Sequence, residues 1–99
     1  MTEFPTDEVL IARGKYSTRG SEMRAALKAL REDVEAITNH ARLAMRGAGE
    51  LKDLDFAIEQ SQFARTRIDQ AMERLGALVV ITQNMEAIRP LAWGKGAPE

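Results

Sequence analysis

The sequence predicts an all-α fold: a long antiparallel helical hairpin with a short N-terminal helix, packing into an oligomeric helix bundle. Three observations carry this. Apolar residues recur with alternating spacings of three and four, the mark of a helical seam. The core residues are mostly Ala, Leu, Ile, Val and Met, with only five aromatics (Phe4, Tyr16, Phe56, Phe63 and Trp93) in 99 residues. No segment alternates apolar and polar residues as a half-buried strand does. Ala77 to Thr82 holds β-branched residues, but the helical pattern runs through it.

The elements follow in order. Thr6 can cap a short helix over 6–13, after Pro5, with Asp7 and Glu8 at the positive end of its dipole. Gly14 and Gly20 bracket a basic loop, so residues 1–20 are read as short helix plus loop. Ser21 is a plausible cap for a helix over 21–46 with a seam of Met23, Leu27, Leu30, Val34, Ile37, Ala41 and Ala44. Gly47-Ala48-Gly49 offers a left-handed residue to end it. A second long helix over 50–89, starting near Glu50 or Asp53, carries the seam Leu51, Leu54, Ile58, Ser61, Arg65, Ile68, Met72, Leu75, Val79 and Thr82. Phe56 and Phe63 form a stripe beside it, and Gly76 is a candidate break. Pro90 should stop the helix, leaving 90–99 as a tail that Trp93 anchors.

The hairpin is divided as 1–20, 21–89 and 90–99. Its second arm is longer than its first, by about 58 against 39 Å. That excess, with the second-face phenylalanines, argues for self-association into a homo-oligomer. A monomer whose N-terminal helix covers the spare face is the alternative.

Composition excludes much chemistry. With no cysteine, disulfides, Cys-based zinc sites, iron–sulfur clusters and thiol nucleophiles are ruled out. His40 is the sole histidine, and Glu35 stands five residues before it, not at the Glu-x-x-His spacing of di-iron bundles. It is expected on the helix surface. No phosphate-loop pattern and no assignable nucleophile–base pair are present. The expectation is a non-enzyme with no cofactor and no metal. The longest purely apolar run is five residues, Ala77 to Ile81, and the N-terminus is acidic, so a cytoplasmic protein without a membrane span is expected.

The net charge of −1 hides segregation: residues 1–10 carry −3, and residues 11–31 carry +5. Arg24, Lys28 and Arg31 lie at i, i+4 and i+7, on one helical stripe. Beside them stand Tyr16, Ser17 and Thr18. A ring for stacking, cations for phosphate and hydroxyls for hydrogen bonds together suit a nucleotide. The plainer reading is a solvated face pairing with acids in residues 50–60 of the facing helix. Arg65, inside the expected seam, needs an acid, a ligand or solvent, with Asp69 four residues on as the simplest partner. Near-neutral charge speaks against a dedicated nucleic-acid binder.

Four short patches resemble the phage anti-CBASS family, helical-hairpin proteins that act as sponges for cyclic oligonucleotides. Tyr16 matches that family's base-stacking tyrosine. Arg31, fifteen residues later, stands where the family has a ligand-contacting lysine. Ala57-Ile58-Glu59-Gln60-Ser61-Gln62-Phe63 is similar to a stretch of its second helix, and Arg89-Pro90-Leu91-Ala92-Trp93 to its terminal Arg-Pro-x-x-Phe. The resemblance implies a viral protein that sequesters a cyclic di- or trinucleotide without hydrolysing it, at sites built across subunits of a symmetric oligomer. The ligand-binding residues expected are Tyr16, Ser17, Thr18, Arg24, Lys28, Arg31 and Arg65. The other reading is a helical protein–protein interaction module with no small-molecule ligand.

Overall fold

A computed structural model describes residues 6–94. It holds two helices, α1 (Asp7–Gly49) and α2 (Leu54–Trp93), joined by a four-residue turn into an antiparallel helical hairpin. No strand occurs among the described residues, and no helix there is long and apolar enough to cross a membrane. The expectations for Pro5 and for the tail beyond Gly94 lie outside the described residues.

The caps are local chemistry. The Thr6 hydroxyl accepts from the Val9 amide at 3.2 Å, with Asp7 and Glu8 in the first turn of α1. The Asp53 carboxylate accepts from the Phe56 amide at 3.0 Å and starts α2. Trp93 is followed by Gly94 at φ 68°, the left-handed residue that closes many helices.

Several boundaries differ from the sequence reading. The expected loop over 14–20 is helical, so the short N-terminal helix and the first long helix are one element. Neither Gly14 nor Gly20 has a positive φ. The Thr18 hydroxyl donates to the Gly14 carbonyl, and Gly20 lies over Met85. The inward spacing of three and four passes through this segment unbroken, so packing overrides two helix-weakening glycines. Ser21 is accordingly mid-helix rather than a cap. Fusion also makes the arms nearly equal, at 43 and 40 residues, which removes the expected length excess. α2 passes Gly76 without a break, and it contains Pro90 rather than ending before it. Pro90 lies one turn from the helix end, so few residues depend on what its ring disrupts.

The chain divides into two compact units. Unit 1 pairs residues 6–26 with 77–94, and unit 2 is residues 27–76. In unit 1 the inward positions of α1 are Val9, Ala12, Tyr16, Arg19, Met23 and Ala26. Those of α2 are Leu78, Ile81, Met85, Ile88 and Ala92. Arg13 Nε donates to the Ala92 carbonyl at 3.0 Å, and Tyr16 packs edge-on against Trp93 at 4.9 Å between ring centroids.

In unit 2, α1 turns Leu30, Asp33, Ile37, His40, Ala44 and Gly47 inward. α2 answers with Ala57, Gln60, Ala64, Arg67, Ala71 and Arg74. This corrects the expected α2 seam, which is displaced by one residue. Ile58, Ile68, Met72 and Leu75 face outward, as do Leu27 and Val34 on α1. Alanine every seventh residue lets the backbones approach closely, and the long side chains between the alanines are polar and paired.

Gly47 is corrected as well. It does not take the left-handed conformation; it is buried where the arms meet. An added Cβ would stand 2.8 Å from the Phe56 ring and 3.3 Å from the backbone of Ala57 and Asp53. The ring can turn, but the backbone atoms cannot. Gly47→Val is therefore expected to cost about 2 kcal/mol through overpacking. Gly14→Ala, with nothing within 4 Å of the new methyl, should gain roughly 0.5–1 kcal/mol. Urea titration of both variants checks the pair, and equal losses would contradict the close approach at Gly47.

Candidate functional site

The expected ligand residues fall into two sets. Tyr16, Ser17, Thr18 and Arg24 belong to unit 1, and Lys28, Arg31 and Arg65 to unit 2. Tyr16 is half-buried, with the Trp93 ring against it and the Arg13 guanidinium 5.7 Å from that ring's centroid. The Tyr16 ring is part of the packing of unit 1. Thr18 is tied to Gly14, Ser17 is exposed, and Arg24 reaches only the Ser21 hydroxyl, at 3.4 Å. A hollow of about 400 Å³ in unit 1 is lined by Val9, Ile11, Ala12, Ile88 and Leu91 with Glu8 and Lys15; none of the expected ligand residues lines it.

In unit 2, Lys28 and Arg31 are exposed, and Arg31 pairs with Glu35 on its own helix at 3.3 Å. The acids of residues 50–60 do not meet them. Gln60 stands against His40, and the middle of α2 stands against Asp33. Arg65 is exposed rather than in the seam, and no ion pair with Asp69 forms. Among the described residues no group of three metal-binding side chains exists.

Two polar layers went unforeseen. Asp33 has no solvent exposure, and each of its oxygens takes an Nε donor: Arg67 at 2.9 Å and Arg74 at 2.5 Å. The two arginines stand seven residues apart, two turns of one helix face, so Asp33 lies at their midpoint. One heptad lower, His40 Nδ1 and Gln60 Oε1 are 2.7 Å apart, beside Phe63. That corrects the expectation of a surface histidine. The signal was present as two arginines at heptad spacing, with Asp33 the acid at an inward position of the opposite arm's three-and-four spacing.

The outward side of unit 2 is lopsided. Let each seam alternate positions a and d, with Leu30, Ile37 and Ala44 at a on α1 and Ala57, Ala64 and Ala71 at a on α2. Positions b and e flank the seam on one side. Because the helices run in opposite directions, the b and e positions of both arms share one edge of the pair. The exposed large apolar residues at those positions are Leu27, Val34 and Met45 on α1, and Leu54, Ile58, Ile68, Met72 and Leu75 on α2. Phe63 alone among the exposed large apolar residues of these two helical segments lies at the other edge. Arg65 interrupts the apolar run on α2.

No protein family, curated protein or solved structure matches this chain.

Proposed function

We propose that the chain is a non-enzymatic helical association module that works through the b/e edge of unit 2. The observation that carries this reading is the gathering of eight exposed large apolar side chains on one edge, while the side of α2 that faces α1 in unit 2 is built of alanine and polar groups. Scattered apolar residues are normal on a surface, but a one-sided set of this size marks an interaction face, even with Arg31, Ser61 and Arg65 among its positions. These side chains are about half exposed. Completing their burial is worth on the order of 1 kcal/mol each, or roughly 8 kcal/mol together. That is comparable to the lower part of the ~4–15 kcal/mol cost of association, so the face sustains a helix-on-helix contact.

The test is the double variant Ile68→Glu/Leu75→Glu. Both positions are exposed, so the hairpin itself keeps its helicity by circular dichroism. The wild-type chain is expected to run above its 11.0 kDa mass in native size analysis, alone or in its source extract. The double variant is expected to run at that mass. A wild-type chain that stays single under both conditions overturns the reading.

The second reading, sequestration of a cyclic di- or trinucleotide by a viral protein in the host cytoplasm, draws on the exposed cations. Arg24, Lys28 and Arg31 are held only by a serine hydroxyl, by nothing else described, and by one exposed ion pair of little worth. Binding by base stacking would compete with the packing of the half-buried Tyr16 ring against Trp93.

A further inference from the structure

The apolar edge of unit 2 carries a charge that its own chain leaves unanswered. We infer from it that the occupant is an amphipathic helix of another protein, laid along the edge with an acidic residue in its apolar stripe. This rests on the association reading and specifies its partner.

The polar side chains at the b and e positions of unit 2 are Arg31, Thr38, Ser61 and Arg65. All but the last are answered within their own helix. The Thr38 hydroxyl donates to the Val34 carbonyl at 2.9 Å, and the Ser61 hydroxyl to the Ala57 carbonyl at 2.7 Å. Arg31 pairs with Glu35 at 3.3 Å. Arg65 forms no hydrogen bond or ion pair among the described residues. It stands between Ile58 and Ile68 on α2, both exposed. In water a guanidinium needs no acid. Covering the two isoleucines takes it out of water, and a desolvated charge without a counter-charge is strongly unfavourable. A purely apolar occupant therefore forfeits at Arg65 much of what it gains at its neighbours. An occupant that brings a carboxylate to this point does not.

The shape of the edge selects a helix. Its apolar residues form a ridge on each arm, about 27 Å long on α1 from Leu27 to Met45 and about 32 Å long on α2 from Leu54 to Leu75. Two such ridges side by side take a third helix of about three heptads. An extended strand finds no backbone to pair with, because both arms of unit 2 spend theirs inside the helices. A bilayer surface fits less well. Positions c and f, on the outer side of α2 beside the edge, hold Asp55, Glu59, Asp69 and Glu73 and no cation in unit 2, so lipid phosphates would meet carboxylates there.

The probes are fluorescein-labelled synthetic peptides of about 21 residues, built of leucine, alanine and glutamine with a leucine stripe at three-and-four spacing. They differ only at the central stripe position, which is glutamate, glutamine or lysine. In fluorescence anisotropy the wild-type chain should bind the glutamate peptide at least about tenfold more tightly than the lysine peptide, with the glutamine peptide between them. Arg65→Glu should reverse that order, and Ile68→Glu/Leu75→Glu should bind none of the peptides. These positions are exposed, so unchanged circular dichroism verifies each fold. Equal affinity for every peptide, lost in Ile68→Glu/Leu75→Glu, sinks the acid and leaves the association reading intact. A wild-type chain that binds no peptide overturns the inference, and its native size then decides the association reading separately. A chain that ignores the peptides and sediments with phosphatidylglycerol vesicles makes the occupant a membrane and excludes the helix.

Discussion

Asp33→Ala is expected to lower the stability of the hairpin by about 3 kcal/mol, the low end for breaking a buried ion pair. The carboxylate has no solvent exposure, whereas the Arg67 and Arg74 side chains are 38% and 41% exposed. Removing the acid leaves two like charges close together, but both can turn to water, which holds the loss below the range's upper end. For a chain of this size the loss lowers Tm by roughly 12–24 °C, at ~4–8 °C per kcal/mol. In urea the midpoint should fall with little change in slope. The companion variant Asp33→Leu/Arg67→Leu/Arg74→Leu replaces the whole charged layer by apolar groups, and it should match or exceed the wild type in stability. A single Asp33→Ala loss under 1 kcal/mol would mean that the layer is solvated in solution.

Tyr16→Ala should cost unit 1 about 2 kcal/mol, less than the ~3–5 kcal/mol of a fully buried aromatic because the ring is only half-buried. Trp93 is the chain's one tryptophan, so its fluorescence reports on the surroundings of this one ring, Tyr16 among them. With the Tyr16 ring gone from its 4.9 Å edge-on position, Trp93 emission should shift to the red. The same probe separates the two functional readings. Under the association reading, cyclic di- and trinucleotides leave Trp93 emission and Tm unchanged. Under the sequestration reading, a ligand at 100 times its Kd adds about 2.7 kcal/mol to the wild type and nothing to Tyr16→Ala.

The sequence made the two arms and their turn legible because three-and-four spacing and the caps at Thr6 and Asp53 are local signals. What misled was the assumption that the most apolar stripe is the one a hairpin buries. On α2 two stripes run side by side. Ile58, Ile68, Met72 and Leu75 are the more hydrophobic, yet Ala57, Ala64 and Ala71 face α1, because small side chains admit a close backbone and leave room for Asp33 between two arginines. Hydrophobicity ranks residues against water; it does not say which of two apolar faces meets which neighbour. The glycines of 14–20 misled similarly. They permit a loop, but permission is not demand when the flanking spacing continues through them. Of the candidate site, the cationic stripe was legible as exposed charge, whereas the engagement of Tyr16 by Trp93 joins residues 77 positions apart and has no local signature.

The turn between the arms spans four residues, and the alignment of the arms does not depend on it alone. Asp33 reads the positions of two arginines at once, so a shift of one repeat in either direction forfeits one of them. The alignment is thus stored redundantly, once in the connection and once in the charges. A lineage carrying this hairpin is free to lengthen, shorten or recompose the link between Gly49 and Leu54, since an error there is corrected by a layer some sixteen residues away. Substitution at Asp33 has no such backup.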